Sequence, residues 1–262
     1  MRLTVNGHQT YIYTGSRAHV ASQPAIVFVH GAANDHSVWA LQSRYFAHHG
    51  RNVIAVDLPG HGRSSGEPPA TVEAIGEWLL RVLDALGVER AVVVGHSMGA
   101  LATLACAARN PDRIERIALL GPAAPMPVSD ALLAAAEANE HLAFELINGW
   151  SFSSRKQLGG NQMPGMWMTG SAMRLLERTR AGVLHTDLLA CRAYTRGADD
   201  AADLRVPALV ILGDRDIMVP PKAAHVLVAA LPERQVVTLA GAGHAMMAEQ
   251  PDAVLDALRS FV

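Results

Sequence analysis

The segment Val92-Val93-Val94-Gly95-His96-Ser97-Met98-Gly99-Ala100 decides the fold, because an apolar run leads through Gly-x-Ser-x-Gly straight into a helix of small residues. Such a sharp strand-to-helix turn lifts the serine hydroxyl above the end of a sheet. It forces the serine into a strained backbone region, which is tolerable only if Gly95 and Gly99 remove colliding side chains. The segment predicts that Ser97 is a nucleophile. The alternative is a glycine-punctuated helix start with Ser97 as an ordinary N-cap.

Short apolar runs recur on both sides of this segment. Apolar runs without alternation are typical of strands buried on both faces of a parallel sheet. Helical stretches separate them, which predicts a doubly wound α/β sheet. The predicted strands are 3–6, 9–14, 25–29, 53–56, 91–94, 114–120, 208–212 and 235–239, the last near an edge and the first two joined by a turn at Asn6-Gly7. The predicted helices are 38–48, 71–86, 98–109, 128–146, 171–180, 183–194, 222–231 and 246–262.

The alternation of strands with helices stops between Pro122 and Asp203. Helices and loops follow one another there without a convincing strand. We therefore expect a helical cap, or lid, at 122–203, inserted into a core domain made of 1–121 and 204–262. The cap is rich in side chains that line adaptable apolar surfaces: Met126, Trp150, Met163, Met166, Trp167, Met168 and Met173. The other interpretation is that they only pack the cap onto the core. The expected substrate-binding side chains are Trp150, Met166, Trp167, Met126 and Met246.

A serine hydroxyl is a poor nucleophile without a base, and the candidate base is His244. It lies in a glycine-rich loop between the last strand and the last helix, which places it at the sheet edge where Ser97 is expected. His30, His61 and His96 are rivals. We expect the ring of His96 to point away from its neighbour Ser97, and His30 and His61 to hold glycine-rich loops by hydrogen bonds.

The base needs a carboxylate to fix its tautomer and stabilise its cation. The segment Gly213–Pro220 follows a buried strand and offers two, Asp214 and Asp216, of which we favour Asp216. Asp57 also ends a strand, but it precedes Pro59-Gly60-His61-Gly62 and is expected to brace that turn.

Acyl transfer also requires donors for an oxyanion, and backbone N–H groups are sufficient. Met98 follows the proposed nucleophile, and its N–H is one expected donor. The segment His30-Gly31-Ala32-Ala33 follows a buried strand, and the N–H of Ala32 is the other.

Bulk composition excludes several other classes of protein. The 262 residues are 50% hydrophobic and 18% charged, with a formal net charge of −2, so the basic footprint of a nucleic-acid binder is missing. The twelve histidines are scattered, and we expect no metal and no cofactor. Cys106 and Cys191 lie in apolar helical contexts and are expected to be buried free thiols. Residues 1–7 alternate like a strand instead of forming a signal peptide, and no run predicts a membrane span, so we expect a cytoplasmic protein.

Taken together, these segments resemble the α/β-hydrolase superfamily over nearly the whole chain, within it the small bacterial esterase, lactonase and carbon–carbon-bond hydrolase group. The matching features are His30-Gly31, the segment from Asp57 to Ser64, the turn at Ser97, the segment from Gly213 to Pro220, and Gly243-His244, in the order nucleophile, acid, histidine. The resemblance implies an eight-stranded, mostly parallel sheet with a helical cap after the sixth strand, and Asp216 as the acid. Serine at the turn argues against haloalkane dehalogenases and epoxide hydrolases, which use aspartate there.

The expected function is therefore hydrolysis of a carboxylic ester, thioester or lactone with a small to medium hydrophobic acyl or alcohol group. Two alternatives stay open. The same residues would also suit a carbon–carbon bond hydrolase, an acyltransferase or a perhydrolase, for which arginines of the cap would bind an anionic substrate. A ligand sensor on a hydrolase frame is the third possibility. The oligomeric state is not predicted.

Overall fold

Eight strands form one sheet in the order β1-β2-β4-β3-β5-β6-β7-β8 in the computed structural model, which describes residues 1–20, 22–159 and 165–262. The strands are β1 (Arg2–Val5), β2 (His8–Tyr13), β3 (Ala25–Val29), β4 (Asn52–Val56), β5 (Ala91–His96), β6 (Ile114–Leu120), β7 (Ala208–Gly213) and β8 (Arg234–Leu239). β2 pairs antiparallel with β1 and β4, and all other pairs are parallel. The predicted mostly parallel, eight-stranded sheet is confirmed, as are the turn at Asn6-Gly7 and the edge position of β8.

Helices cover both faces of this sheet. They are α1 (Ala40–His48), α2 (Val72–Ala85), α3 (Met98–Arg109), α4 (Asp130–Glu137), α5 (His141–Ser151), α6 (Ser154–Gln157), α7 (Met168–Leu176), α8 (Val183–Ala193), α9 (Gly197–Ala202), α10 (Pro221–Ala230), α11 (Met246–Glu249) and α12 (Pro251–Phe261), with a 3-10 helix at His36–Trp39. Successive residues of one strand pack into the two hydrophobic clusters on opposite faces of the sheet. Val27 and Val93 pack with α2 and α3, whereas Phe28 and Val94 pack with α1 and α12. Burial on both faces explains why the strands lack alternation.

Several predicted helix boundaries are wrong. The helix expected at 128–146 is broken into α4 and α5, because Asn139 adopts a left-handed conformation with φ 54°. The helix expected at 246–262 is interrupted at Gln250, because Pro251 begins α12 and disfavours a helical residue before it. The helix expected at 171–180 lies instead at Met168–Leu176, and α6 and α9 were not predicted.

The segment between β6 and β7 contains only helices and loops among its described residues. A small hydrophobic cluster joins α4, α5, α7 and α8, and includes Ala33 from the loop after β3. The short helix α9 packs differently, against α3 and α10. Packing thus groups α9 with the core, and the division at 122–203 stays a prediction. Both cysteines are buried and free, as expected.

Candidate active site

Ser97 occupies the sharp turn between β5 and α3. Its backbone has φ 54° and ψ −119°, a strained combination for a residue other than glycine. A side chain at Gly95 would collide with the carbonyl of Gly99 across the turn. The serine side chain makes no capping hydrogen bond to α3, which argues against an ordinary N-cap. Its hydroxyl is directed instead to Met126, with 3.9 Å between Oγ and Sδ.

The loop after β8 brings His244 to Asp216. The Nδ1–H of His244 donates to Oδ2 of Asp216 over 2.6 Å, and the N–H of Val219 donates to Oδ1 of the same carboxylate over 2.7 Å. Nε2 of His244 is buried and has no hydrogen-bond partner within the described residues. The hydrogen bond to Asp216 places a hydrogen on Nδ1, so the neutral form of the imidazole has its lone pair on Nε2, as a general base requires.

Asp214, the other candidate acid, is placed elsewhere. Its Oδ1 accepts a hydrogen bond of 2.6 Å from the N–H of Gly241 and so holds the loop that leads to His244. It makes no hydrogen bond to the imidazole ring. Of the two carboxylates in this segment, only Asp216 contacts the imidazole of His244 by a hydrogen bond.

His96 has a role that sequence reasoning missed. Its Nε2–H donates to the backbone carbonyl of His244 over 3.0 Å, and the two ring centroids lie 4.7 Å apart. Burial, together with the neighbouring His244 ring, holds the pKa of His96 well below its usual value of 6.5. The ring is thus neutral near pH 7, and it buttresses the histidine loop. Adjacency to Ser97 was a clue to its location, but not to its partner.

The two amides expected to bind an oxyanion flank the serine. Met98 is the first residue of α3. On the other side, a Cβ placed on Gly31 would lie 3.1 Å from the Cβ of Ser97, so the loop after β3 runs against the serine. Within the described residues, no protein acceptor is hydrogen-bonded to the N–H of Ala32 or Met98. Both donors are thus available to another group.

His30 and Asp57 hold the surrounding loops, as expected. His30 donates from Nδ1 to the Gly31 carbonyl and accepts at Nε2 from the N–H of Leu58. Burial, reinforced by the charge of His61, lowers the pKa of His30 from 6.5 to about 4. Asp57 accepts hydrogen bonds from the backbone and ring of His36 and from the N–H of Arg63. Burial opposes ionisation of Asp57, but these hydrogen bonds outweigh it and lower its pKa.

Two buried carboxylates near the site were not anticipated. Asp187 of α8 accepts hydrogen bonds from Ala33 and His61. Glu249 accepts hydrogen bonds from the backbone of Gly243, beside His244, and from the backbone and hydroxyl of Ser153. An acid within the apolar stripe of a helix was the available signal for Asp187, because Leu184, Leu188 and Cys191 surround it at helical spacing.

A cavity of about 610 Å³ opens between the helices that follow β6 and the ends of the strands. Ser97, His96 and His244 line its floor, with Gly31 and Ala32 beside them. Its other walls are largely apolar. The segment between β6 and β7 contributes Met126, Leu132, Ile147, Trp150, Met166, Met168, Leu175 and Leu188. Three of the five expected substrate-binding residues, Trp150, Met166 and Met126, therefore line the cavity.

Trp167 and Met246 do not line the cavity. Trp167 is 75% exposed, and its ring lies over Gly170 at the start of α7. Met246 is fully buried in the core cluster beneath the sheet, because the first turn of α11 directs it inward. The next residue, Met247, reaches the cavity instead. Met163 lies outside the described residues.

No arginine or lysine is found among the described residues that line the cavity. The arginines of the cap that would bind an anion have other positions. Arg174 pairs with Glu177, Arg192 pairs with Asp130, and Arg180 donates to the carbonyls of Gly60 and Gly66. Arg155 and Arg178 are exposed. An anionic substrate thus has no cationic side chain to meet it in the described walls.

One group in the described residues has the donor types of a metal site, namely Asp35, His36 and Asp57. Its oxygens already have protein donors. Oδ1 of Asp35 accepts from the N–H and hydroxyl of Ser37, and Oδ1 of Asp57 accepts from His36. We assign this group to loop structure. Across the described part of the chain, none of the helices has the length and apolar character needed to cross a bilayer.

Comparison with known proteins agrees with this fold. A family model described as alpha/beta hydrolase fold matches residues 24–251. The chain is 29% identical over 243 residues to esterase YbfF of Escherichia coli (strain K12), covering 90% of this chain and 92% of the esterase. It is 28% identical over 254 residues to the sn-1-specific diacylglycerol lipase ABHD11 of Mus musculus, covering 92% and 82%. The crystal structure of the enol-lactonase from Burkholderia xenovorans LB400 superposes with a TM-score of 0.89 at 27% identity, covering 100% and 99%.

Proposed function

Because the chain belongs to the α/β-hydrolase fold family, we propose that it is a serine hydrolase that cleaves carboxylic esters, thioesters or lactones. The observation that carries this proposal is the state of His244. Its Nδ1–H is fixed by Asp216, and its Nε2 is free at the cavity that Ser97 also lines. A base with a defined tautomer that lines the same cavity as a strained serine supports nucleophilic acyl transfer.

In the first half of the reaction, Ser97 Oγ attacks the acyl carbonyl carbon and its proton passes to Nε2 of His244. For this the hydroxyl rotates away from Met126, the partner it has in the unliganded site. The Asp216 carboxylate stabilises the imidazolium that forms. The amides of Ala32 and Met98 bind the oxyanion, each donor contributing on the order of 10²–10³ in rate. Collapse expels the alcohol or thiol, which takes the proton from Nε2.

The second half repeats these steps with water. His244 removes a proton from water, which attacks the acyl-enzyme carbonyl. The second tetrahedral intermediate releases the carboxylic acid and restores Ser97. The chain's own residues supply every proton transfer in this scheme, so we propose no cofactor and no metal.

The cavity walls define the substrate class of this proposal. They are largely apolar and contain no arginine or lysine in their described part. A charged carboxylate in the substrate would lose its hydration without gaining a cation, which is costly. We propose a neutral substrate with an apolar acyl or alcohol group of small to medium size.

The test is a chain-length series of p-nitrophenyl esters together with a lactone panel. The wild-type protein should turn over neutral members, and Ser97→Ala should lower kcat/KM by at least about 10³. A fluorophosphonate probe should label the wild type but not this variant. Ser260→Ala is the matched control, because that serine is exposed near the end of α12. Ester turnover that survives in purified Ser97→Ala protein would remove Ser97 from the mechanism.

A further inference from the structure

A single cap carboxylate holds the loop that carries a proposed oxyanion donor. The side chain of Asp187 on α8 is only 1% exposed. Its Oδ2 accepts one hydrogen bond of 2.9 Å from the N–H of Ala33 and another of 2.8 Å from Nε2 of His61. Ala33 precedes Asp187 by 154 residues and His61 precedes it by 126. The contact therefore joins the cap to two separate loops of the core.

The N–H, the carbonyl and the methyl group of Ala33 all contact the cap. Its φ of 54° lies in the left-handed region, which a residue with a side chain adopts only under restraint. Asp187 holds its N–H, and the hydroxyl of Thr179 donates to its carbonyl over 3.0 Å. Its methyl group belongs to the hydrophobic cluster of α4, α5, α7 and α8. These restraints fix the peptide that joins Ala32 to Ala33. The Ala32 N–H belongs to the peptide before it, whose Gly31 carbonyl accepts a hydrogen bond of 3.3 Å from the N–H of Asn34 across the same turn.

His61 completes the arrangement as a cation. Its Nδ1 donates to the carbonyl of Pro59 over 2.9 Å, and its Nε2 donates to Asp187. Because both partners only accept hydrogen bonds, both ring nitrogens carry hydrogens. Burial disfavours this charge, but the Asp187 carboxylate outweighs it and raises the pKa of His61. The hydrogen bond from His61 in turn holds Oδ2 of Asp187 toward the loop.

Stability alone does not account for a carboxylate at this position. Oδ1 of Asp187 is buried and has no hydrogen-bond partner in the described residues. Burying a charged group that is incompletely hydrogen-bonded is costly, and buried ion pairs are weak contributors to stability.

We propose that Asp187, with His61, is a positioning residue that sets the oxyanion hole from the cap. This inference rests on the proposed serine hydrolase function. Asp187 fixes the turn at Ala33, so that the N–H of Ala32 faces the oxygen that becomes negative when Ser97 attacks. We call Asp187, His61 and Ala33 the clamp. The cap then serves the chemical step as well as substrate binding.

The test separates transition-state binding from substrate binding. An alkyl trifluoromethyl ketone forms a reversible hemiketal when Ser97 Oγ bonds to its carbonyl carbon and His244 takes the proton, leaving an oxyanion in the hole. Asp187→Ala should lower kcat by about 10- to 100-fold, with KM changed by less than about threefold. The inhibition constant of the ketone should rise by about the same factor as kcat falls. Asp187→Asn keeps an acceptor oxygen for Ala33. Its kcat and its inhibition constant for the ketone should lie between those of Asp187→Ala and the wild type.

Asp200→Asn is the matched control. Asp200 is another buried carboxylate between β6 and β7, but it contacts Tyr194 and Arg109 and not the oxyanion loop. Asp200→Asn should leave kcat and the inhibition constant of the ketone unchanged. If Asp187→Ala does not fold, Asp187→Asn and Thr179→Val carry the test.

The clamp would be overturned if folded Asp187 variants had the kcat and ketone affinity of the wild type. It would also be overturned if Asp200→Asn changed these values as much as the Asp187 variants do. An inactive Ser97→Ala protein in the same experiments would show that the proposed function stands even so. Turnover by Ser97→Ala would instead refute the proposed function.

Discussion

Replacement of His30 by glutamine should make the protein less sensitive to acid. His30 is completely buried and neutral, and its pKa is lowered to about 4. As the pH falls below 6.5, the unfolded chain takes up a proton at residue 30, but the folded chain does not until the pH nears 4. The free energy of unfolding therefore decreases across this window. Glutamine offers one donor and one acceptor for the partners of His30, the Gly31 carbonyl and the Leu58 N–H, and it does not titrate.

The magnitude follows from the same two pKa values. Each pH unit between them changes the free energy of unfolding by about 1.4 kcal/mol. Acidification from about pH 7 to about pH 5 should thus cost the wild type about 2 kcal/mol through residue 30 alone. His96 contributes to acid sensitivity in both proteins, and so does every carboxylate. Each protein is compared with itself at the two pH values, so any loss of stability of His30→Gln at neutral pH cancels. The difference between the two decreases in the free energy of unfolding therefore reports on residue 30.

Urea unfolding followed by tryptophan fluorescence measures these free energies at both pH values. The decrease on acidification should be about 2 kcal/mol smaller for His30→Gln than for the wild type. His225→Gln, a change at an exposed position of α10, is the matched control and should behave as the wild type. An equal decrease in wild type and His30→Gln would show that residue 30 does not resist protonation in the folded state, and the reasoning would fail.

Three further predictions concern the proposed chemistry. Asp216→Asn should lower kcat by on the order of 10⁴, because the imidazole of His244 loses its fixed tautomer; steady-state kinetics with a loss below tenfold would contradict this role. Gly121→Ala should reduce kcat as well, since its Cβ would lie 3.0 Å from Cε1 of His244 and its φ is 59°; an unchanged pH–rate profile and kcat would refute this. A neutral dimethyl ester should have a higher kcat/KM than the half-ester carboxylate of the same diacid, because the described cavity walls carry no arginine or lysine. Equal values in a titrimetric assay would contradict that inference.

The positions of β3, β4, β5 and β7 along the chain could be predicted from sequence, because strands buried on both faces are continuous apolar runs. The order of the strands within the sheet was not predicted. Continuous apolar runs ended at glycine in β3, β5 and β7, and the side chains expected to react follow their ends. The positions of Ser97 after β5 and of Asp216 after β7 were therefore within reach, and the glycine-rich loop after β8 indicated that of His244. The break in the helix at Asn139 was not, because asparagine tolerates both helical and left-handed conformations and tertiary contacts decide between them.

Side-chain direction was the weaker part of the prediction. Met246 and Met247 are adjacent on a short helix, and only the second reaches the cavity. Both side chains belong to one core cluster, and composition does not indicate which of them also lines the cavity. The apolar stripe around Asp187 marked it as unusual, but its partners were beyond prediction for a related reason. Its partners lie 126 and 154 residues away, and contacts at that separation leave no local pattern.

The clamp has a consequence for protein engineering. Helices α4 to α8 form most of the cavity roof, so exchange for the roof of a relative is an obvious route to a new substrate range. Such a chimera would also remove the anion that orients the loop after β3, and would leave the imidazolium of His61 buried without a counter-charge. A transplanted roof should therefore retain an aspartate at the position of Asp187 and a hydroxyl at that of Thr179. Libraries that diversify Trp150 or Met166 alone leave this anchorage intact.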